Sequence, residues 1–414
     1  MSKPQKKALV PALRFPEFRE AGKWENTLLG KLGDFTGGGT PTKSNNSYWR
    51  GSIPWVSSSD IHEESIHEFS ISRYITEEAI NDSATKLIPE NSILLVSRVG
   101  VGKLAISKNS ICTSQDFTNF TPVRDDLIFL GYYLKSRTKS LLGYSQGMAI
   151  KGFTKDDISN LAVSIPSVTE QQKIADCLSS LDDLITAQTQ KLTALKAHKK
   201  GLMQQLFPAE GETVPKLRFP EFRDGGEWEE KTLEQVARYE NGKAHEQDID
   251  EEGEYIVVNS KFISTEGEVK KFSHSANLLA EKDDILMVLS DIPNGKAIAK
   301  CFYVDKDDTY TVNQRICKLT AKDTVSTMLF YILDRNAYFL DFDDGVKQTN
   351  LKKDDVLNCP ILLPKDKTEQ QKIVDCLSSV DELITAQSLK IEALKSHKKG
   401  LMQQLFPSMD KVDG

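Results

Sequence analysis

No two of the six cysteines (Cys112, Cys177, Cys301, Cys317, Cys359 and Cys376) form a CxxC pair, and none falls in a Cys/His zinc spacing. A disulfide framework and a zinc module are therefore excluded, and reduced, buried thiols are expected. No apolar run approaches the ~20 residues that span a bilayer. The opening MSKPQKKALVPALRF is basic but has no apolar core, so no secretory signal is expected and the protein is placed in the cytoplasm, away from membranes. Catalytic signatures are missing as well. SRVGVGKLAI contains GxGK but lacks the spacing and the Ser/Thr after Lys103 that a phosphate loop requires. No Asn/Asp-Pro-Pro-aromatic stretch, which would hold a flipped adenine, occurs anywhere. His62 and His67 stand five apart among glutamates, off helical metal spacing, and read as solvated. No nucleophile–base pair and no metal site are expected, so the chain is read as non-catalytic.

Basic residues are also in deficit. Against 60 Asp and Glu stand 53 Lys and Arg, a net charge of −7. Taken alone this argues against nucleic acid, because phosphate contacts need cations. Acidic runs such as HEQDIDEEGE (245–254) can, however, sit on a face turned away from DNA. At 414 residues, 39% hydrophobic and 27% charged, the chain is a globular protein of two or three domains.

What it does have is a long-range repeat. TEQQKIADCLSSLDDLITAQTQKLTALKAHKKGLMQQLFP (169–208) returns as TEQQKIVDCLSSVDELITAQSLKIEALKSHKKGLMQQLFP (368–407). LRFPEFREAGKW (13–24) returns as LRFPEFRDGGEW (217–228), and FTKDDISNLAVSIP (153–166) is echoed by LKKDDVLNCPILLP (351–364). A fainter echo joins SILLVSRVGVGKLAI (92–106) to DILMVLSDIPNGKAI (284–298), each an apolar strand, a turn and a GK step. A period near 200 residues marks a tandem duplication, not a solenoid. The regions between the shared segments share a fold but not a surface.

Within each long copy, apolar residues recur at alternating steps of four and three, the seam of a coiled coil. The first seam is Ile174, Leu178, Leu181, Ile185, Gln188, Leu192 and Leu195, running on through Lys199, Leu202 and Leu206. The second is Ile373, Leu377, Val380, Ile384, Gln387, Ile391 and Leu394, running on through Lys398, Leu401 and Leu405. Thr169 and Thr368 are read as N-caps, Pro208 and Pro407 as stops, and Gly201 and Gly400 as places where a helix would kink or end early. Two matched helices are expected to pair antiparallel, placing Gln188 beside Ile391 and Gln387 beside Leu192. A helix of ~38 residues is ~57 Å long, a stiff spacer commensurate with about a turn and a half of duplex DNA at ~3.4 Å per base pair.

The repeated EQQKI…LITAQ…LKxHKKGLMQQLFP segments, the two LRFPEF openings, GGGTP (37–41) and IPWVSSSDI (53–61) resemble the specificity subunit of type I restriction–modification enzymes. The resemblance implies an α+β architecture. Two mixed α/β target recognition domains are separated by two long helices, paired as an antiparallel coiled coil about a pseudo-twofold. The expected division is a first recognition domain (1–167), a first spacer helix (168–208), a second recognition domain (209–366), a second spacer helix (367–407) and a flexible tail (408–414). Each recognition domain would read half of a bipartite double-stranded DNA target. The helices would dock two methyltransferase subunits, restriction subunits would join for cleavage, and adenine-N6 methylation would follow. S-adenosylmethionine, ATP and Mg²⁺ would belong to those partners, with no cofactor in this chain. The alternative is a protein-only coiled-coil scaffold with two protein-binding heads, which the acidic balance favours.

Base readout calls for donors and acceptors on loops, and phosphate contact for cations and backbone amides. In the first variable region the candidates are Thr40, Lys43, Asn45, Asn46 and Arg50, whose neighbouring glycines would let backbone approach a phosphate. Ser57, Ser58, Ser59, Arg98, Lys103, Gln146 and Lys151 complete that region. In the second region they are Asn259, Ser260, Lys261, Lys296, Asn313, Gln314, Arg315, Lys347, Gln348 and Thr349.

Overall fold

The computed structural model describes residues 10–137, 152–245, 247–293 and 295–407. Gln146, Lys151 and the expected tail 408–414 lie outside the described residues. Contacts divide the chain into two units. One comprises the residues up to Lys191 together with those from Gln387 onward, and the other is Leu192–Ala386.

Short runs of apolar and β-branched residues, broken by Gly, Asn and Pro, make the strands of the first unit. These are β1 (Glu25–Leu28), β2 (Gly33–Gly37), β3 (Ile53–Val56), β4 (Arg73–Ile75) and β5 (Leu87–Ile88). There follow β6 (Ser92–Leu95), β7 (Leu104–Ser107), β8 (Ile111–Thr113), β9 (Thr118–Pro122) and β10 (Ala162–Ile165). They form one sheet in the order β2-β9-β6-β7, a second in the order β4-β3-β8-β5, and the separate pair β1-β10. SILL and LAIS are buried along their whole length, which is why β6 and β7 show no polar alternation.

The second unit repeats this plan. Its strands are β11 (Glu229–Thr232), β12 (Ala237–Asn241), β13 (Tyr255–Val258), β14 (Phe272–Ser273), β15 (Leu279–Ala280) and β16 (Ile285–Val288). Then come β17 (Ser290–Asp291), β18 (Cys301–Tyr303), β19 (Tyr310–Val312), β20 (Ile316–Ala321), β21 (Thr349–Asn350) and β22 (Pro360–Leu363). The sheet orders, β12-β20-β16-β18 and β14-β13-β19-β15, match those of the first unit strand for strand, and β11-β22 matches β1-β10. Only the small β17-β21 pair has no counterpart among the described residues. The GK echo needs correction. Lys103 directly precedes β7, whereas five residues pass between Gly295 and the first residue of β18, so the two lysines hold different places in the fold.

The long helices span Val168–Leu206 and Lys367–Leu405, 39 residues each. Their caps differ from the expected threonines. Both helices begin one or two residues earlier, and Asp366 Oδ1 accepts from the Thr368 amide at 2.8 Å, while the Gln171 amide reaches the Ser167 carbonyl at 2.9 Å. Gly201 and Gly400 do not end the helices, which run on past them to Leu206 and Leu405. A Cβ added at either position would meet nothing within 4 Å, so Gly201→Ala and Gly400→Ala should each stabilise the chain by about 0.5–1 kcal/mol by restricting the unfolded backbone. Thermal melting of the two variants checks this, and a lower midpoint would refute it.

Within the first unit the start of one long helix meets the end of the other. Ile174, Leu178, Leu405 and Phe406 share a core with Trp24, Phe120, Phe129 and Tyr133. Lys398 Nζ lies 2.5 Å from Asp182 Oδ1, and Gln387 Nε2 donates to both the carbonyl and the Oε1 of Gln188 at 2.9 Å. Numbers rise along one helix as they fall along the other, so the segments run antiparallel. The glutamines bond each other directly, where the sequence placed them beside aliphatic neighbours. In the second unit Leu206, Ile373 and Leu377 join Trp228, Leu319 and Leu329, and Lys199 Nζ lies 2.7 Å from Asp381 Oδ1. Among the seam residues, Ile174, Leu178, Ile373, Leu377, Val380, Gln387 and Ile391 are buried. Leu181, Ile185, Gln188, Leu192, Leu195, Ile384 and Leu394 are half-buried.

The same contacts tie each sheet assembly to the helices. Tyr132, on the helix Leu127–Ser136, donates to Asp182 Oδ2 at 2.5 Å, and the Lys398 ammonium sits 5.0 Å from its ring centre. Tyr331, on the helix Ser326–Leu333, donates to Asp381 Oδ2 at 2.7 Å, and Lys199 sits 4.9 Å from its ring. Burial pushes both phenols up, and each hydrogen-bonded aspartate adds to the effect, so each tyrosine stays a donor. His67 is not a solvated histidine. Half-buried, it lies 3.2 Å from the Tyr132 hydroxyl and 4.0 Å from Asp182, and desolvation holds its pKa down.

Each LRFPEF segment is clamped in the same way. Arg14 donates to both carboxylate oxygens of Glu170 at 2.8 and 2.7 Å, and Arg218 to those of Glu369 at 2.7 and 2.8 Å. Each side chain is at most 8% exposed. The Leu13 amide bonds the Gln404 carbonyl at 3.0 Å, and Leu217 bonds Gln205 at 2.9 Å.

Candidate nucleic-acid interface

In each unit, five residues cross from one sheet to the other and gather loops around them. In the first unit they are Thr113–Phe117. The Ser114 amide bonds the Val56 carbonyl at 2.9 Å, and the amides of Gly38 and Gly39 bond the carbonyls of Phe117 and Thr113 at 3.3 and 2.8 Å. The Asp116 carbonyl accepts from Ser97 at 2.7 Å and Arg98 at 3.3 Å, and Phe153 closes the frame on Ser97 at 3.0 Å. In the second unit the crossing is Val312–Ile316. Asn313 bonds Val258 at 3.0 Å, Gly242 bonds Ile316 at 2.9 Å, and Lys243 bonds Val312 at 3.0 Å. Leu289 donates to Arg315 at 2.9 Å, and Leu351 to Leu289 at 2.8 Å. Backbone bonds therefore hold one frame twice, with different side chains on it.

Two of the glycines before Thr40, Gly38 and Gly39, have a packing role. A Cβ at Gly38 would stand 2.0 Å from the Ser114 carbonyl, and one at Gly39 2.5 Å from Ala84, so only glycine lets this loop lie against the crossing.

Several candidates converge on the frame. The Thr40 hydroxyl bonds the Gln115 side chain, Ser57 follows Val56, and Arg98 is bonded to Asp116 through its backbone. In the second unit Asn259 follows Val258, Asn313, Gln314 and Arg315 lie on the crossing, and the strand pairing Ser290↔Asn350 and Asp291↔Thr349 draws in the 345–350 loop. There Gln348 Nε2 donates to Ser290 Oγ at 2.7 Å, and Thr349 Oγ1 lies 3.2 Å from Asp343. Lys347 is exposed, with its amide held by Asp344 at 2.9 Å.

Others stand elsewhere or carry local structure. Lys43, Asn45, Asn46 and Arg50 belong to a loop fastened to the other side of the β3 sheet, where Tyr48 accepts from the Thr76 amide at 3.0 Å and its hydroxyl meets Asp82 at 3.0 Å. Asn45 and Asn259 cap the turns that follow them, accepting from Ser47 at 3.1 Å and Phe262 at 2.9 Å. Ser57 is engaged by Asp60 and by Arg73, the latter at 2.7 Å. Ser58 and Ser59 lie in that capped turn, Ser260 and Lys261 in the equivalent helix Ser260–Ser264. Lys103 closes a turn on Gly100 at 3.2 Å, and exposed Lys296 precedes the amides of Ala297 and Ile298, which donate to Asp291.

Two frame residues escaped the sequence reading, Gln115 and Asp116. The signal was the alignment of TSQDF (113–117) with VNQRI (312–316) at the helices' own spacing of 199, hidden because only the glutamine is shared. The guanidinium groups of Arg98 and Arg315 are exposed and make no hydrogen bond or ion pair with any described residue. Among the described residues no group of three or more His, Cys, Asp or Glu could hold a metal ion.

Comparison with known proteins agrees with this duplicated plan. The chain is 36% identical over 183 residues to the type I restriction enzyme MjaIX specificity subunit of Methanocaldococcus jannaschii, a match covering 41% of each chain, so it spans less than half of that relative. It is 25% identical over 424 residues to the MjaVIII specificity subunit of the same organism, covering 97% of this chain and 95% of the relative. Its fold is shared with the crystal structure of a type I restriction–modification S subunit from M. genitalium, with a TM-score of 0.60 at 16% identity, over 97% of this chain and all of that one. The model of the type I restriction modification DNA specificity domain matches twice, at residues 21–197 and 225–395, and the chain belongs to that family.

Proposed function

We propose that this chain is the DNA-reading subunit of a type I restriction–modification complex, recognising a bipartite double-stranded target with one half-site per unit. The observation that carries the reading is the twice-built frame. Equivalent backbone bonds, Ser114 to Val56 and Ser97 to Asp116 matched by Asn313 to Val258 and Leu289 to Arg315, present Arg98, Gln115 and Asp116 in one unit and Ser290, Gln314 and Arg315 in the other. A scaffold for proteins has no need of one backbone geometry with exchanged hydrogen-bonding groups; a reader of two different base sequences does.

The long helices are the spacer and the dock for two methyltransferase subunits, which restriction subunits join. Leu184 and Leu383, one repeat apart, remain 39% and 56% exposed, apolar surface that a partner helix would cover. Methylation and cleavage, with S-adenosylmethionine, ATP and Mg²⁺, belong to those partners, and this chain catalyses nothing itself. The complex would act in the cytoplasm, where its DNA lies; no helix among the described residues is long and apolar enough to cross a membrane. Footprinting of the chain reconstituted with its methyltransferase partner should show two short protected blocks of fixed sequence, separated by a stretch of unspecified sequence. Binding without sequence preference, partner present, would leave the protein-scaffold reading in its place.

A further inference from the structure

We infer that the residue after the shared glutamine, Asp116 in the first unit and Arg315 in the second, sets one base of each half-site: Asp116 by accepting from an exocyclic amino group, Arg315 by donating to guanine. The inference rests on the DNA-reading function proposed above.

The two residues occupy one place. β8 and β9 flank Asp116 as β19 and β20 flank Arg315, and the register confirms it, with Gly37↔Thr118 answering Asn241↔Cys317. Each carbonyl accepts the equivalent bond, from the Ser97 amide in one unit and the Leu289 amide in the other. The main chain at this place is held, while the side chain's task is left open. Aspartate offers only acceptors and arginine only donors, so the change between units is a reversal of hydrogen-bond sense and of charge.

Neither side chain is consumed by the fold. The Ser114 hydroxyl donates to Asp116 Oδ2 at 3.2 Å, and Oδ1 has no partner among the described residues. The Arg315 side chain has no partner there. A carboxylate close to a phosphate backbone is repelled by it. It is tolerated where it pairs with a base, and in the major groove the groups that pair with it are cytosine N4 and adenine N6, while arginine matches guanine O6 and N7. The neighbouring segment compensates. Arg98, three residues beyond β6, stands where the second unit has Ser290, so each frame carries one arginine, after β6 in the first unit and on the crossing in the second. A guanine contact is therefore displaced between the half-sites, not lost.

The test uses the full chain with its methyltransferase partner and selection from a randomised duplex library at fixed salt, followed by sequencing. Arg315→Gln should lower the preference for guanine at one position of one half-site on the order of tenfold or more, and Arg315→Lys should keep part of it. Asp116→Asn should relax one position of the other half-site, from cytosine or adenine toward all bases. Each variant should leave the opposite half-site unchanged. If both variants select the parent's sequences at every position, the assignment is overturned, while a bipartite consensus from the parent keeps the DNA-reading function. If the parent yields no consensus, that function itself fails. Melting curves accompany each variant, and Asp116→Ser takes the place of Asp116→Asn should the latter melt early.

Discussion

Glu170→Ala should cost the chain about 3–5 kcal/mol of stability, because it strands a buried cation. Arg14 is 8% exposed and gives two hydrogen bonds to this carboxylate, and Trp24 Nε1 gives it a third at 3.2 Å. Truncation leaves the guanidinium with only the Gly22 carbonyl, at 2.6 Å from Nη1, and the indole N–H with no acceptor. An arginine keeps its proton at any ordinary pH, so once the carboxylate is gone the side chain stays charged and cannot escape by neutralising. Glu369→Ala breaks the matching pair with Arg218, but Trp228 Nε1 already lacks a partner, so no indole bond is lost. The first variant should therefore be the worse by about 1 kcal/mol, the worth of one hydrogen bond. Urea unfolding of parent and variants measures this. Losses under 1 kcal/mol in both would show that the clamp does not hold the LRFPEF segment to the helix.

Exchanging residues 215–355 for the corresponding region of another family member should change one half-site of the target completely and leave the other untouched. Each unit has its own core, built around Phe120 and Phe129 in one and Leu319 and Leu329 in the other, so a new sheet assembly can fold without disturbing its counterpart. The exchange has two structural conditions. The donor must bring a strand to pair with Pro360–Leu363 as Glu229–Thr232 does, and an arginine for Glu369 in place of Arg218. Methylome sequencing of cells carrying the exchanged chain with its partners reads the result, and altered bases in both half-sites would sink the modular reading.

Much of the architecture was legible before any coordinates. The long helices are periodic over many turns and bounded by prolines, and a duplicated apolar seam has few ways to be buried other than against its copy. The equal topology of the variable regions showed only as faint echoes, because a strand buried along its whole length accepts any apolar residue of fitting size. Ile93 and Ile285 occupy one place with little surrounding identity. The helix caps are not legible in the repeat, because Asp366 and Ser167 lie outside the repeated segment and owe their role to where the chain enters the helix.

Residue order alone reveals the duplication, the seam with a glutamine at its centre in each copy, the lack of catalytic signatures and the family that these features resemble. All of these are carried by residues near one another in the chain, or by repetition at a fixed distance. Which loop residues stand together follows only from the folded contacts. The frame that joins Gly38, Val56, Ser97, Asp116 and Phe153 consists of backbone hydrogen bonds between residues tens of positions apart, and backbone bonds leave no mark in the identity of the side chains that make them. For the same reason Lys43 and Arg50, plausible from composition, belong to another edge of the fold, while Asp116, a carboxylate in an acidic chain, proves to occupy the place of Arg315.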